Sequence, residues 1–171
     1  KSALLAYGFD VDPMAAIERM TEAEIETLVL HEEGELAAGR LLGAAWADKL
    51  AGFGGKRAEI FARAVKDNLA DCLVTLPALL RRDSADSMHF WFSTFDGLRR
   101  ELFPRLIAAY GLGVGACWPA KRNLRQTESW TAISAATETG CEHFSELANR
   151  LIGMDESAIE ALSHEVGTVA L

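Results

Sequence analysis

The sequence of 171 residues is poor in the features that build disulfide frameworks, structural zinc sites and β-sheets. Its three cysteines, Cys72, Cys117 and Cys141, are odd in number and far apart, and no Cys-x-x-Cys pair occurs. This pattern disfavours a disulfide framework and a structural zinc site and indicates a reducing compartment, so we expect a cytoplasmic protein. Only four prolines are present, which is compatible with long helices. No segment alternates apolar and polar residues for more than a few positions, which argues against β-strands.

Positive charge and long apolar runs are scarce as well. The formal net charge is −8, so the chain has no general attraction to nucleic acid or to an anionic membrane surface. The basic stretch at residues 119–125 lacks interleaved aromatic side chains and is interpreted as a solvated loop. The longest uncharged run, residues 106–120, is too short and too rich in glycine to cross a bilayer. We therefore expect neither a nucleic acid nor a membrane as a partner. The chain begins with Lys1 and not with Met, which leaves open that it is a piece of a longer protein.

The residues that dominate the sequence, Ala, Leu and Glu, favour helix. Several helix boundaries carry recognisable signals. Asp12 followed by Pro13 predicts an N-cap with proline at the first helical position. Thr21 and Glu24 have the spacing of a capping box, which predicts that a new helix begins there. Gly52 predicts the end of that helix.

These signals predict one all-α domain over residues 1–171. We expect Pro77 and Pro104 to kink or restart their helices and residues 111–126 to form a long glycine-containing loop. The predicted architecture is a helical bundle with shorter helices at its ends and four long helices, at about 22–51, 56–81, 84–102 and 128–152.

The predicted helix 22–51 carries charged residues among its leucines and alanines. At about 100° per residue, its main apolar arc contains Glu32 near the middle and Glu35 toward one edge, with His31 just outside. We expect this arc to face the core and to bury the Glu32 carboxylate. A second apolar strip lies on another side of the same helix. A helix that is apolar on two sides is usually central in the fold or covered by an oligomer partner. The main arc consists of Ile25, Leu28, Val29, Leu36, Leu42, Trp46, Leu50 and Phe53, and the second strip of Leu30, Ala37, Leu41 and Ala44.

A carboxylate on a buried face is expensive unless it is paired, hydrogen-bonded or bound to a metal. One interpretation is a site for a divalent transition metal or a small ligand, with ligands supplied by facing helices. Against the best-known form of such a site, the sequence contains no Glu-x-x-His. The structural interpretation, which we favour, pairs Glu32 with Asn68, with Arg19 or with a residue across a subunit interface. The candidate ligands are His31, Glu32, Glu35, Asn68, Asp71 and His89.

No complete catalytic constellation is recognisable, so we assign no catalytic residue and leave open whether the protein is an enzyme. Gly-Ala-Cys-Trp at 115–118 and the glycine clusters at 52–57 and 111–115 lack the context of a nucleophile or a phosphate loop. The aromatic stretch at 88–92 directs Trp91 and Phe92 inward and Phe90 outward. We favour the start of a core helix, and the alternative is a partner or oligomer surface. We predict a non-catalytic scaffold or protein-interaction module that self-associates. The alternative is a metal- or small-ligand-binding bundle centred on Glu32, Glu35 and His31. The candidate interface residues are Leu30, Leu41 and Phe90.

Overall fold

The computed structural model describes residues 2–82, 84–114 and 128–171, and every regular element in those ranges is helical. The expected all-α fold is confirmed. The helices are α1 (Ser2–Ala6), α2 (Pro13–Ala51), α3 (Lys56–Ala70), α4 (Leu76–Arg82), α5 (Ala85–Thr94), α6 (Gly97–Leu102), α7 (Pro104–Val114), α8 (Glu128–Gly153) and α9 (Glu156–His164), with a π-helical turn (Asp71–Thr75) between α3 and α4 and a 3-10 turn (Val166–Thr168) after α9.

The lengths of the helices differ from the prediction of four long ones. α2 has 39 residues and α8 has 26, whereas the predicted helix 84–102 is divided into α5 and α6. The division falls at Phe95 and Asp96, and Gly97 follows with φ 54°, a conformation that favours glycine. α7 begins at Pro104 as expected, but it includes residues 111–114, which were predicted as loop. Residues 115–126, with the Gly-Ala-Cys-Trp and basic stretches, lie outside the described residues.

α2 joins two helices that the sequence signals separate. Asp12 caps its start, because the Asp12 side chain accepts a hydrogen bond from the Ala15 N–H at 3.1 Å. The helix continues through Thr21, so the predicted capping box is wrong, and it ends at Gly52 as expected. Its one interruption is at Gly43, whose φ of 72° and ψ of −167° are not helical.

The rod formed by α3, the π turn and α4 passes through Pro77 without ending. Proline has no N–H to donate, and its ring would collide with the carbonyl group four residues earlier in a regular helix. In the preceding turn the Leu76 N–H donates to the Asp71 carbonyl, five residues back. This wider turn accommodates the proline, and it also sets the direction of the side chains at its start.

The core lies where this rod packs against α8, and α7 also packs against α8. The packing is tight at Gly140, where an added Cβ would lie 2.5 Å from the Phe103 ring and 2.9 Å from the Cys72 sulfur. Only glycine fits at that point of α8. The largest fully buried side chains are Phe61, Phe95, Phe103, Phe144, Leu69, Leu76, Leu79, Met88, Leu102, Leu106, Ile133 and Leu151.

α2 packs on α3 through a face of mostly small and polar residues and not through the predicted arc. At Gly34 an added Cβ would lie 2.5 Å from the Ala70 carbonyl oxygen. Large side chains do not fit at this separation, so most of the large apolar residues of the first half of α2, but not Leu30, lie on the opposite side. Glu32 shares that exposed side, and the expectation that it is buried is wrong. The inner face consists of Ala16, Glu24, Thr27, Leu30, Gly34, Ala38, Leu42 and Trp46.

The buried side of α2 turns gradually around the helix. Buried residues recur at intervals of four, which drifts by about 40° per interval, and they are Leu30, Gly34, Ala38, Leu42 and Trp46. Leu28 and Trp46 are 18 residues apart, which is five full turns, so they would share one side of an ideal helix. Leu28 is 60% exposed and Trp46 only 2%. The predicted arc is therefore wrong from Ile25 to Leu36 and right for Leu42 and Trp46.

Candidate functional site

The most unusual surface of the described residues is an apolar line along the exposed side of α2, which we call the outer stripe. Met14, Ile25 and Leu36 recur every eleven residues, close to three turns, and Ile17 and Leu28 have the same spacing. The outer stripe spans about 33 Å of helix, at about 1.5 Å per residue. Its members are between 42% and 68% exposed, and they are Met14, Ile17, Ile25, Leu28, Val29 and Leu36.

Exposed glutamates border the outer stripe. Glu18 lies within its first half and Glu32 within its second half, and Glu22 and Glu33 lie beside it on one side. None of these four forms a salt bridge with a described residue, whereas the nearby Glu26 pairs with Arg82. The outer stripe is thus an apolar line with an acidic border.

Beneath α2, on the side away from the outer stripe, polar side chains surround the buried carboxylate of Asp71. We call this group the Asp71 cluster, and it consists of His31, Glu35, Lys66, Asn68, Asp71, Trp91 and Arg99. His31 Nδ1 donates to Asp71 Oδ1 at 3.0 Å, and the Trp91 indole N–H approaches the same oxygen at 3.4 Å. The Arg99 guanidinium donates to Asp71 Oδ2, and its Cζ lies 5.4 Å from the centre of the Phe95 ring. Asp71 therefore ties the rod to α2, α5 and α6.

The π turn explains why this carboxylate reaches all three helices. Asp71 is the first residue of the turn, and such widened turns are frequent at functional or strained positions. Asn68, one turn earlier, donates its side-chain amide to the Arg99 carbonyl at 3.0 Å. The side chain and the backbone of Arg99 are thus both held by the same stretch of the rod.

The edge of the cluster is charged and half-buried. Lys66 Nζ lies 3.0 Å from Glu35 Oε2, and His31 Nε2 lies 3.7 Å from Glu35 Oε1. Burial raises the pKa of Glu35, but the hydrogen bond and charge of Lys66, together with His31, lower it below its usual value. The hydrogen bond to Asp71 outweighs burial at His31 and raises the pKa of its imidazole. Burial raises the pKa of the neighbouring Asp67.

A second buried carboxylate, Glu24, anchors α1. The Tyr7 hydroxyl donates to Glu24 Oε1, and burial followed by this hydrogen bond raises the pKa of Tyr7. Burial and the nearby Glu24 charge also raise the pKa of Asp86. Arg19, one of the predicted partners of Glu32, instead donates to the Tyr7 carbonyl at 2.7 Å. This second cluster fixes the first half of α2 against α1 and α5.

The structure brings together four of the six predicted ligands. His31, Glu35, Asn68 and Asp71 belong to the Asp71 cluster. Glu32 lies on the opposite side of α2, and Asn68 therefore does not pair with it. His89 lies elsewhere, with its Nδ1 2.7 Å from the Tyr110 hydroxyl, and burial lowers its pKa.

The Asp71 cluster is poorly suited to bind a metal. Its carboxylates already face cations, Asp71 with His31 and Arg99, and Glu35 with Lys66. In the described ranges no group of three or more His, Cys, Asp or Glu side chains is placed to hold a metal ion. Two surface grooves, of about 390 and 410 Å³, are lined by other residues: Pro77, Leu80, Arg81, Trp130, Ser134, Thr137 and Glu138 in one, and Gly97, Arg100, Glu101, Pro104 and Ile107 in the other.

The predicted interface residues have three different surroundings. Leu30 is 8% exposed and belongs to the inner face of α2, so it is not an interface residue of the folded chain. Phe90 is half-buried and Leu41 is exposed. Leu41 lies on another side of α2 from the outer stripe.

The sequence interpretation missed Arg99, Trp91 and Lys66 as members of the cluster. A signal was present for two of them, because Trp91, Phe95 and Arg99 follow one another at intervals of four. Residues at this spacing lie on one side of a helix. Because Trp91 and Phe95 were expected to face inward, the spacing predicts that Arg99 faces inward as well.

Comparison with known proteins assigns the chain to a family. The family described as "Family of unknown function (DUF6866) C-terminal domain" matches residues 1–169. The chain belongs to this family. No curated protein and no solved structure shows significant similarity to it. Within the part of this family member that the structure describes, no helix has the length and apolar character needed to cross a membrane.

Proposed function

We propose that this domain is a non-catalytic protein-interaction module that binds a partner through the outer stripe of α2. The observation that carries the proposal is the exposure of six large apolar side chains in one line. Single exposed apolar residues are ordinary, but contiguous apolar surfaces usually mark sites of interaction. Burying apolar surface contributes roughly 25 cal/mol per Å², so covering this line would stabilise a complex.

The packing beneath α2 supports this role because it holds the helix firmly. The Asp71 cluster and the close contact of Gly34 with Ala70 fix the middle of α2, and the Glu24 cluster fixes its first half. A helix attached in this way presents the outer stripe without having to reorganise on binding. Such preorganisation lowers the entropic cost of association.

The metal- or ligand-site alternative has less support. Its intended centre, Glu32, is exposed, and both oxygens of the buried Asp71 carboxylate already have partners. Glu24 accepts from Tyr7 on Oε1, and its buried Oε2 has no hydrogen-bond partner among the described residues. The free thiols of Cys72 and Cys141 support the further proposal of a cytoplasmic location.

Site-specific photo-crosslinking in the cells that make the protein tests the proposal. A photoreactive phenylalanine derivative replaces Leu28 in the outer stripe or, as the control, Ile60, which is similarly exposed at 54% on α3. We expect a discrete covalent adduct with a second polypeptide from position 28 and none from position 60. The added substitution Leu36→Glu should remove that adduct. Equal adducts at both positions, or none at position 28, would contradict the proposal.

A further inference from the structure

We infer that the partner on the outer stripe is a basic amphipathic helix of another protein; this inference rests on the proposed function. The shape of the surface comes first. The outer stripe is a single helix face about 33 Å long, which matches a second helix of about 22 residues lying along it. Gly39 continues the line, and an added Cβ there would meet nothing within 4 Å. A partner helix can therefore approach closely beyond Leu36.

The charge on the border decides the chemistry of that helix. Glu18, Glu22, Glu32 and Glu33 are exposed, and no described cation forms a salt bridge with them. From Met14 to Leu36 the basic residues of α2 are Arg19, which is bound to the Tyr7 carbonyl, and His31, which is bound to Asp71. The exposed Arg40 adds one positive charge beyond Leu36, against the four glutamates. Lysine or arginine residues that flank the apolar anchors of a partner would complement the acidic border.

The same border disfavours a second copy of this chain. Consider two copies of α2 that lie antiparallel, with residue 25, the midpoint of the outer stripe, opposite residue 25 of the other copy. A residue n positions before residue 25 then faces the residue n positions after it in the other copy. Glu18 then lies beside Glu32 and Glu33 of the other copy. A parallel pair places each glutamate beside its own counterpart. Like charges placed opposite each other are unfavourable in either arrangement.

A lipid surface is disfavoured for a related reason. Amphipathic helices that bind membranes usually carry lysine or arginine on their polar border, because cellular membranes present anionic lipids. The border of the outer stripe has the opposite sign. A basic protein helix is therefore the occupant that satisfies both the apolar line and its charges.

Two synthetic 22-residue peptides test the inference directly. Both have leucines at the spacing of the outer stripe; one has lysines at the flanking positions and the other has glutamates. Binding to the full chain is measured by fluorescence anisotropy at low and moderate salt. We expect the lysine peptide to bind at least tenfold more tightly than the glutamate peptide and to weaken as salt rises. A lysine peptide with the leucines scrambled should bind at least tenfold more weakly.

Charge-reversed protein variants separate a local effect from general acidity. The border variant carries Glu18→Lys, Glu22→Lys, Glu32→Lys and Glu33→Lys, and it should prefer the glutamate peptide. The matched control changes the net charge by the same amount at four other exposed glutamates, and it should keep the preference for the lysine peptide. These control changes are Glu101→Lys, Glu142→Lys, Glu146→Lys and Glu160→Lys.

The outcomes distinguish this inference from the function on which it rests. If both peptides bind equally and Leu28→Glu abolishes both interactions, the partner's basic character is refuted but the interaction surface stands. If neither peptide binds and sedimentation reveals a dimer that Leu28→Glu dissociates, the occupant is a second copy and the inference is overturned. If neither peptide binds, the chain is monomeric and position 28 gives no crosslink in cells, both the inference and the proposed function fail.

Discussion

The imidazole of His31 on α2 donates from Nδ1 to the buried Oδ1 of Asp71 at 3.0 Å, across forty residues of chain. This contact joins the longest helix to the π turn at the middle of the α3–α4 rod. Asp71 is only 1% exposed, and it also accepts from Trp91 and Arg99. One carboxylate thus holds four helical segments in a fixed arrangement.

Replacing Asp71 by alanine should strongly destabilise the fold. The substitution leaves the Arg99 guanidinium and the His31 imidazole without their acceptor, and removing one partner of a buried ionic group costs about 3 kcal/mol or more. Urea unfolding followed by circular dichroism measures the loss. Glu35→Gln is the control, since its pair with Lys66 is half-exposed and should contribute less than about 1 kcal/mol. Equal losses in the two variants would show that the Asp71 cluster is not the anchor of α2.

The contribution of His31 to stability should depend on pH. The pKa of His31 is raised above 6.5 in the folded protein, first by the hydrogen bond to Asp71. In the unfolded chain the pKa of His31 has its ordinary value, so the imidazole binds its proton more tightly in the folded state. The resulting stabilisation is fully present below about pH 6.5 and is lost as the pH rises through the folded pKa.

The difference in unfolding free energy between the natural chain and His31→Gln measures this contribution. It should be largest at mildly acidic pH and should shrink toward alkaline pH. The buried His89 acts in the opposite direction, because its lowered pKa removes stability as the pH falls. It is present in both proteins and cancels in the difference. A difference that does not change with pH would contradict the assigned hydrogen bond.

Local signals made much of the fold predictable. Asp12 and Asp155 cap helices by accepting hydrogen bonds from N–H groups three residues on, and Pro104 begins a helix as expected. Such signals depend on neighbours in sequence alone. The Thr21 capping box failed because the chain around it has helix-favouring residues on both sides, and tertiary packing holds α2 continuous through it.

The orientation of α2 was not predictable from periodicity. Periodicity correctly placed Glu32 on the same side as Ile25, Leu28 and Leu36, but it does not say which of two apolar sides faces the core. The close contact of Gly34 with Ala70 decides that question, and it involves residues distant in sequence. The Asp71 cluster was only partly predictable for the same reason. Its polar residues are recognisable in the sequence, whereas the contact of Arg99 with Asp71 joins residues 28 apart and depends on the tertiary fold.

A pair of glycine substitutions in α2 tests this explanation of its orientation. Gly34→Ala should destabilise the protein by about 1–3 kcal/mol, because the new Cβ would lie 2.5 Å from the Ala70 carbonyl oxygen. Gly39→Ala should instead stabilise it, by up to about 1 kcal/mol, since alanine favours helix and nothing lies within 4 Å of the added Cβ. Thermal unfolding of both variants measures the effects. A neutral Gly34→Ala would mean that α2 does not approach α3 closely at this point.

Two leucines on α2 provide the final test, because truncating each removes the same atoms from one exposed and one buried position of one helix. Leu42 is 7% exposed and packs in the core, whereas Leu28 is 60% exposed in the outer stripe. Leu42→Ala should cost about 2–5 kcal/mol of unfolding free energy, the range for a buried leucine. Leu28→Ala should change it by less than about 0.5 kcal/mol, as expected for a surface position. Chemical denaturation of the isolated chain compares the two directly.

If Leu28→Ala were as costly as Leu42→Ala, the chain itself would cover the outer stripe in solution and no surface would be left for a partner. If only Leu42→Ala is costly, the exposed apolar side of α2 has no role in folding. That side is then free to bind a partner, as the proposed function requires.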